Sequence, residues 1–379
     1  MQKQKIAVVV SSPMTAQVFL AHQLDELSKV YDVTLVANLS GQQDVYSWLP
    51  KEVHVIDIPI QRKISPWSDL RCYFKLKHLF KREKFTLVHS VSPKAGLLAM
   101  IAARRVKVPV RLHTFTGQVW STKTGLKRAI LKAFDRAIAN RTTVALVDSK
   151  TQMEFLVKHN IVGESSSKVL GDGSISGVDC ERFKPNPQVR LDVRQQLGTD
   201  MSSVVMLFVG RLKKEKGILE LVEAFSKAKT TCQEMELWLV GPDEEDVQQK
   251  VGLLEGIKYV SFTSEPQQYM ASADILCLPS YREGFGSVII EAGACGIPSI
   301  GSNIYGLQDA IVDGETGILV KPKSVDALAT AMLQLSQDES LRVQMGKAAQ
   351  KRAIDSFPHD LLTDAILNMY SELLCPPKT

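Results

Sequence analysis

The 379-residue chain has no apolar run long enough to cross a bilayer as a helix, which takes about 18 to 20 consecutive apolar residues. The stretch "LLAMIAA", from Leu97 to Ala103, is ended by Arg104 and Arg105, so a membrane span is not expected. The start, "MQKQKIAVVVSSPM", carries lysines but only a short apolar run that reads as a buried strand, so no secretory leader is expected and the cytoplasm is the expected compartment. The six cysteines are scattered, with no C-x-x-C pair and no histidine at ligand spacing beside them. That excludes a disulfide framework or a zinc knuckle and leaves free thiols in a reducing environment. There is no low-complexity tract, and 45% hydrophobic with 23% charged residues is the composition of a folded globular chain. No stacking platform or groove-reading motif is present, so nucleic acid is not an expected partner.

The length suggests two domains. In the first half "KIAVVVSS", "DVTLVAN", "VHVIDIP", "FTLVHS", "PVRLHTF" and "TVALVDS" recur as short β-branched runs separated by helical stretches. In the second, "SSVVMLFVG", "MELWLVG", "IKYVSF", "ADILCLPS", "IPSIGS" and "TGILV" repeat the pattern after a Pro185 and Pro187 linker. Alternating apolar strands and helices predict an α/β fold of two doubly wound parallel sheets, each presenting its strand ends to a crevice. Charge separates the halves: residues 1–180 carry 26 Lys and Arg against 14 Asp and Glu, a net of +12, while residues 181–379 carry 20 against 27, a net of −7. The first half therefore faces something anionic, a membrane surface or a phosphorylated substrate.

Two loops combine residue types that suit a sugar nucleotide. In "FVGRLKKEKGILELVEAF" a buried strand ends at Gly210 and a helix opens near Gly217, which sets Arg211 and Lys216 beside free helix N–H groups, a setting for a diphosphate. Lys213 and Lys214 read as solvated surface. In "YREGFGSVIIEAGACGIPSIGS" a turn carries Glu283, and Gly284 and Gly286 lack the Cβ that would keep backbone from a ligand. Ser287 and Glu291 share one face of the helix that follows, and either carboxylate suits a vicinal diol. By contrast, "GPDEED" follows a strand and opens a helix, where acidic residues complement the dipole; no metal site is expected there.

"GRLKKEKG", followed by "EGFGSVIIEAGACGIPSIGS" and "GLQDAIVDGETGILV", resembles the glycosyltransferase family 4 pattern. "LVHSVSPKAGLLAMIAARRVKVPVRLHTFTGQVW" and "GSISGVDCERF" extend the resemblance over nearly the full chain, and "HTFTG" and "GSISGVD" are similar to the subgroup that extends polyprenyl-diphosphate-linked glycans for bacterial surface polysaccharides. The resemblance implies the GT-B fold, two Rossmann-like domains facing a central cleft. Residues 1–185 would bind acceptor and 186–359 the nucleotide sugar, with a C-terminal helix of about 360–379 packing back on the first. It implies Arg211 and Lys216 on the donor diphosphate, Glu291 on the ribose and Glu283 on the transferred sugar. The backbone of Gly284, Phe285, Gly286, Ser287 and Val288 would lie along sugar and phosphate, Thr263 to Pro266 at the base, and His113 at the reacting face of the sugar. The anomeric configuration would be retained with no metal or other cofactor required. Two departures stand out: no glycine lies between Ser11 and Gln17, where relatives carry a Gly-rich loop, and Ser176 replaces the usual Asn.

The helical stretches "RCYFKLKHLFKREKF" and "WSTKTGLKRAILKAFDRAIANR" mix basic and apolar residues, and their functional reading is contact with an anionic membrane surface. The expected protein is a hexosyltransferase on the inner face of the plasma membrane. It would move an N-acetylhexosamine or hexose from a UDP-linked donor to a lipid-diphosphate-linked saccharide for O-antigen, capsule or exopolysaccharide. The alternatives are a soluble family 4 enzyme with a water-soluble acceptor and a non-catalytic nucleotide-sugar-binding scaffold.

Overall fold

The computed structural model describes residues 3–39, 48–61, 64–252 and 254–375. They form two compact units, Met1–Ser176 with His359–Thr379, and Gly177–Pro358.

The first unit runs β1 (Lys5–Val9), α1 (Pro13–Val30), β2 (Asp32–Ala37), β3 (His54–Asp57), α2 (Pro66–Glu83), β4 (Leu87–Val91), α3 (Pro93–Arg105), β5 (Val110–Phe115), α4 (Gly125–Ala139), β6 (Val144–Val147), α5 (Lys150–Lys158) and β7 (Ser167–Lys168). The strands form one parallel sheet in the order β3-β2-β1-β4-β5-β6-β7. Six of them are the expected runs, while two-residue β7 has no apolar run that would reveal it. β1 and β4 are buried without alternation because helices cover both faces of the sheet.

The second unit runs α6 (Pro187–Gln196), β8 (Val204–Val209), α7 (Ile218–Lys229), β9 (Met235–Val240), α8 (Val247–Val251), β10 (Ile257–Val260), α9 (Pro266–Met270), β11 (Ile275–Leu278), α10 (Ser287–Ala294), β12 (Ser299–Ser302), α11 (Leu307–Ala310), β13 (Gly317–Val320), α12 (Val325–Gln337) and α13 (Glu339–Ser356). Its parallel sheet has the order β10-β9-β8-β11-β12-β13. Helices α1, α2, α3, α6 and α9 open on proline, whose fixed φ and missing N–H suit a first helical turn and set where each helix leaves its loop.

The expected boundary at residue 185 is corrected. Residues 177–185 belong to the second unit: Val178 N donates to Phe357 O at 2.8 Å, and Val178 and Phe183 are in its core. Pro187 is not a linker residue but the start of α6, capped by Asn186, whose side-chain oxygen accepts from Val189 N at 3.1 Å. The last helix, α14 (His359–Leu374), belongs to the first unit. Its Ile366, Met369 and Tyr370 are buried there, and Tyr370 Oη lies 2.7 Å from His89 Nδ1. Residues 376–379 of the helix expected over about 360–379 lie outside the described residues.

Candidate active site

At one end of the second sheet, two loops are stitched together. The first leaves β8 through Gly210 and Arg211 and reaches α7 through Lys216 and Gly217; the second leaves β11 and reaches α10 through Tyr281 to Gly286. Gly217 has φ 73°, and a Cβ on it would lie 2.2 Å from Pro279 O, so only glycine lets the loops approach this closely. Tyr281 N donates to Glu215 O at 3.0 Å, and Arg282 Nη2 donates to the Glu215 carboxylate at 3.1 and 3.2 Å. Burial works against the charge of Glu215, yet Arg282, with Arg211 and Lys213, outweighs it and holds that carboxyl below its usual range.

Across this stitch Lys216 Nζ donates to Glu283 Oε1 at 2.5 Å, with side chains 21% and 15% exposed. The cation of one motif and the carboxylate of the other thus share a point, although 67 residues separate them. Arg211 is more exposed and lies 3.6 Å from Glu244, which also pairs with Lys213. Lys213 is therefore not merely a solvated charge. The Tyr281 hydroxyl donates to Glu220, and Lys323 sits 4.6 Å over the Tyr281 ring.

Gly286, at φ 91°, caps α10, and the first N–H groups of that helix, on Ser287 and Val288, have no helical carbonyl before them. A Cβ on Gly286 would meet Leu307 Cδ2 at 2.6 Å, so this glycine is required by packing, a demand separate from ligand approach. The Phe285 side chain turns into the core, 2% exposed, with its ring 5.1 Å from that of Phe357, which leaves its backbone on the loop. Glu291 lies one turn into α10, half-buried; burial pushes its carboxyl up to about 7, with Arg182 opposing. Arg182 also donates to Ser264 O at 2.6 Å and to Gln267 Oε1 at 3.1 Å, which fixes the loop ahead of Pro266. The acidic stretch after β9 is used within the protein: Asp243 accepts from the N–H groups of Glu245, Val247 and Gln248.

Arg211, Lys216, Glu283, Gly284 to Val288, Glu291 and Pro266 all belong to the second unit. His113 belongs to the first. It is 1% exposed in β5, its Nδ1 lies 2.9 Å from Ser90 Oγ, and its ring fills the space where a Cβ on Gly96 would be, 2.3 Å from Cε1. Burial lowers its pKa to about 3, so the ring is neutral. The buried neutral ring packs against α3 at Gly96. Sequence reasoning missed Glu215, Arg282 and Arg182, because nothing in their spacing marks a stitch between loops distant in sequence.

Residues 189–352 match the family described as glycosyl transferases group 1, and residues 15–165 match a glycosyl transferase 4-like domain. The capsular polysaccharide biosynthesis glycosyltransferase CapM of Staphylococcus aureus is 30% identical over 352 residues, 91% of each chain. The chain belongs to glycosyltransferase family 4. An Escherichia coli relative, UDP-Gal:alpha-D-GlcNAc-diphosphoundecaprenol alpha-1,3-galactosyltransferase, is 27% identical over 91% of this chain and 90% of its own. Anabaena HepE, solved in complex with UDP and glucose, superposes with a TM-score of 0.80 at 19% identity, covering 97% of this chain and all of its own. This family 4 enzyme therefore has the GT-B fold, with two Rossmann-like parallel-sheet units, and is a hexosyltransferase.

Proposed function

We propose that this glycosyltransferase moves a hexose or N-acetylhexosamine from a UDP-linked donor to a lipid-diphosphate-linked saccharide in the building of a bacterial surface polysaccharide. The observation that carries the donor reading is the Lys216–Glu283 pair, which brings a phosphate-binding cation and a hydroxyl-binding carboxylate together beside the N-terminus of α10. Arg211 and Lys216 hold the diphosphate, Glu283 and the 284–288 backbone hold the sugar, Glu291 binds the ribose diol, and the loop ending at Pro266 lies at the base. UDP and the lipid-linked acceptor are supported by the E. coli relative and by HepE, whose names carry them.

In the reaction the acceptor hydroxyl oxygen bonds to the anomeric carbon as the bond to the diphosphate breaks, and the hydroxyl proton passes to the departing phosphate oxygen. Attack from the face the diphosphate leaves retains configuration. The protein's part is to position the partners and to stabilise charge growing on the diphosphate with Lys216, Arg211 and the helix N–H groups. No residue need form a bond to the sugar.

Two helices of the first unit support membrane contact. On α2, Trp67, Leu70 and Phe74 are 80%, 47% and 55% exposed beside Arg71 and Lys75; on α4, Leu126 and Ile130 are 76% and 43% exposed beside Lys127. Apolar side chains pointing outward among lysines and arginines suit the boundary of an anionic bilayer. No helix among the described residues is long and apolar enough to cross a membrane.

The test is incubation with radiolabelled UDP-hexoses and UDP-N-acetylhexosamines and a membrane lipid extract from a polysaccharide-producing bacterium. Label is expected in the organic phase, and label found only on water-soluble products would overturn the lipid acceptor.

A further inference from the structure

The residues assigned above to diphosphate and to sugar are bonded to each other. We propose that the Lys216–Glu283 ion pair is exchanged in each catalytic cycle, with the donor's diphosphate taking Lys216 and the hydroxyls of its sugar taking Glu283. Only a ligand that offers both satisfies both residues. This proposal rests on the donor assignment made above.

At 2.5 Å, with the side chains only 21% and 15% exposed, neither charge can lose its partner and be fully repaid by water. The frame keeps the competition in place. Tyr281 N on Glu215 O, Arg282 on the Glu215 carboxylate and the close approach of Gly217 to Pro279 fix the two loops relative to one another, so Glu283 stays near Lys216. Arg211 lacks this constraint: it is 39% exposed and its partner Glu244 also has Lys213, so its transfer to a phosphate leaves no lone charge.

The exchange distinguishes substrate from product. A nucleotide diphosphate without sugar supplies an anion for Lys216 but nothing for Glu283, and it leaves that carboxylate beside a phosphate of the same sign. Once the sugar has been transferred, Glu283 competes with the diphosphate for Lys216. The pair therefore raises the ratio of sugar-nucleotide to free-nucleotide affinity and speeds departure of the product. Neither residue makes or breaks a covalent bond in this step.

The experiment is calorimetric titration of the full chain with UDP, GDP and ADP, and with the sugar nucleotide of whichever binds, for the native protein, Glu283→Gln, Glu283→Ala and Lys216→Met, and for Glu283→Gln combined with Lys216→Met. Circular dichroism checks that each variant is folded. Freed from its competitor, Lys216 should bind the free nucleotide about tenfold more tightly in Glu283→Gln, while the sugar nucleotide gains less or loses affinity. The gain should vanish when Lys216 is also replaced. Unchanged or weaker nucleotide binding in both folded Glu283 variants, beside a native protein that binds, overturns the exchange alone. A native protein that binds none of the three nucleotides overturns the donor assignment itself.

Discussion

Glu291 titrates where activity is normally measured. Burial raises its carboxyl pKa to about 7, with Arg182 opposing. If the ionised form accepts the ribose hydroxyls, nucleotide affinity should rise between pH 6 and pH 8, and Glu291→Gln should flatten that rise; isothermal titration at several pH values checks it. The same shift affects stability. The folded protein keeps this proton to higher pH than the unfolded chain, whose reference is 4.5, so stability falls as pH rises from that value towards 7 and levels off above it. Thermal melts of Glu291→Gln should therefore gain on the native protein between pH 5 and pH 8. Residue types and spacing at the ends of strands singled out Arg211, Lys216, Glu283 and Glu291, and the structure places all four in the second unit. The bond between Lys216 and Glu283 was not legible, since no local pattern records a contact across 67 residues. The packing of His113 was not legible for a related reason: it depends on Gly96 in α3 and Ser90 in β4, and a strand-end histidine looks the same in sequence whether covered or open.

The loops between strand and helix carry the proposed site, and their glycines differ in what they do. Gly217→Ala places a methyl group into Pro279 O at a backbone angle that disfavours any Cβ. A loss of about 1–3 kcal/mol is expected from the strain alone, seen as a lower melting temperature together with weaker nucleotide binding. Helix α4 serves a different surface. Replacing Leu126 and Ile130 by Glu should abolish co-flotation with vesicles rich in anionic lipid and leave nucleotide affinity unchanged; flotation equal to the native protein would remove α4 from the membrane reading. Most strands were legible because sheets covered on both faces need unbroken apolar runs, as in β8 and β11. Strand β7 was lost because two residues, Ser167 and Lys168, pair with β6 through backbone alone.

In the whole molecule, charge and chain path divide the labour. The unit bearing α2 and α4 is basic, with 27 Lys and Arg against 16 Asp and Glu, a net of +11, and the unit bearing the two stitched loops is acidic, with 19 against 25, a net of −6. The two-domain architecture was legible from the alternation of strands and helices, but the boundary was not. Prolines 185 and 187 look like a linker, whereas the chain changes unit between Ser176 and Gly177, where Val178 pairs with the segment returning at Phe357 and Pro358. No composition shift marks such a crossing. The most direct measurement is the rate of sugar transfer from a UDP-sugar by the native protein and by Lys216→Ala, with the fold of each confirmed by circular dichroism. If Lys216 stabilises the departing diphosphate as proposed, its removal should slow transfer about 10²- to 10³-fold; near-native turnover by a folded Lys216→Ala protein would contradict the site.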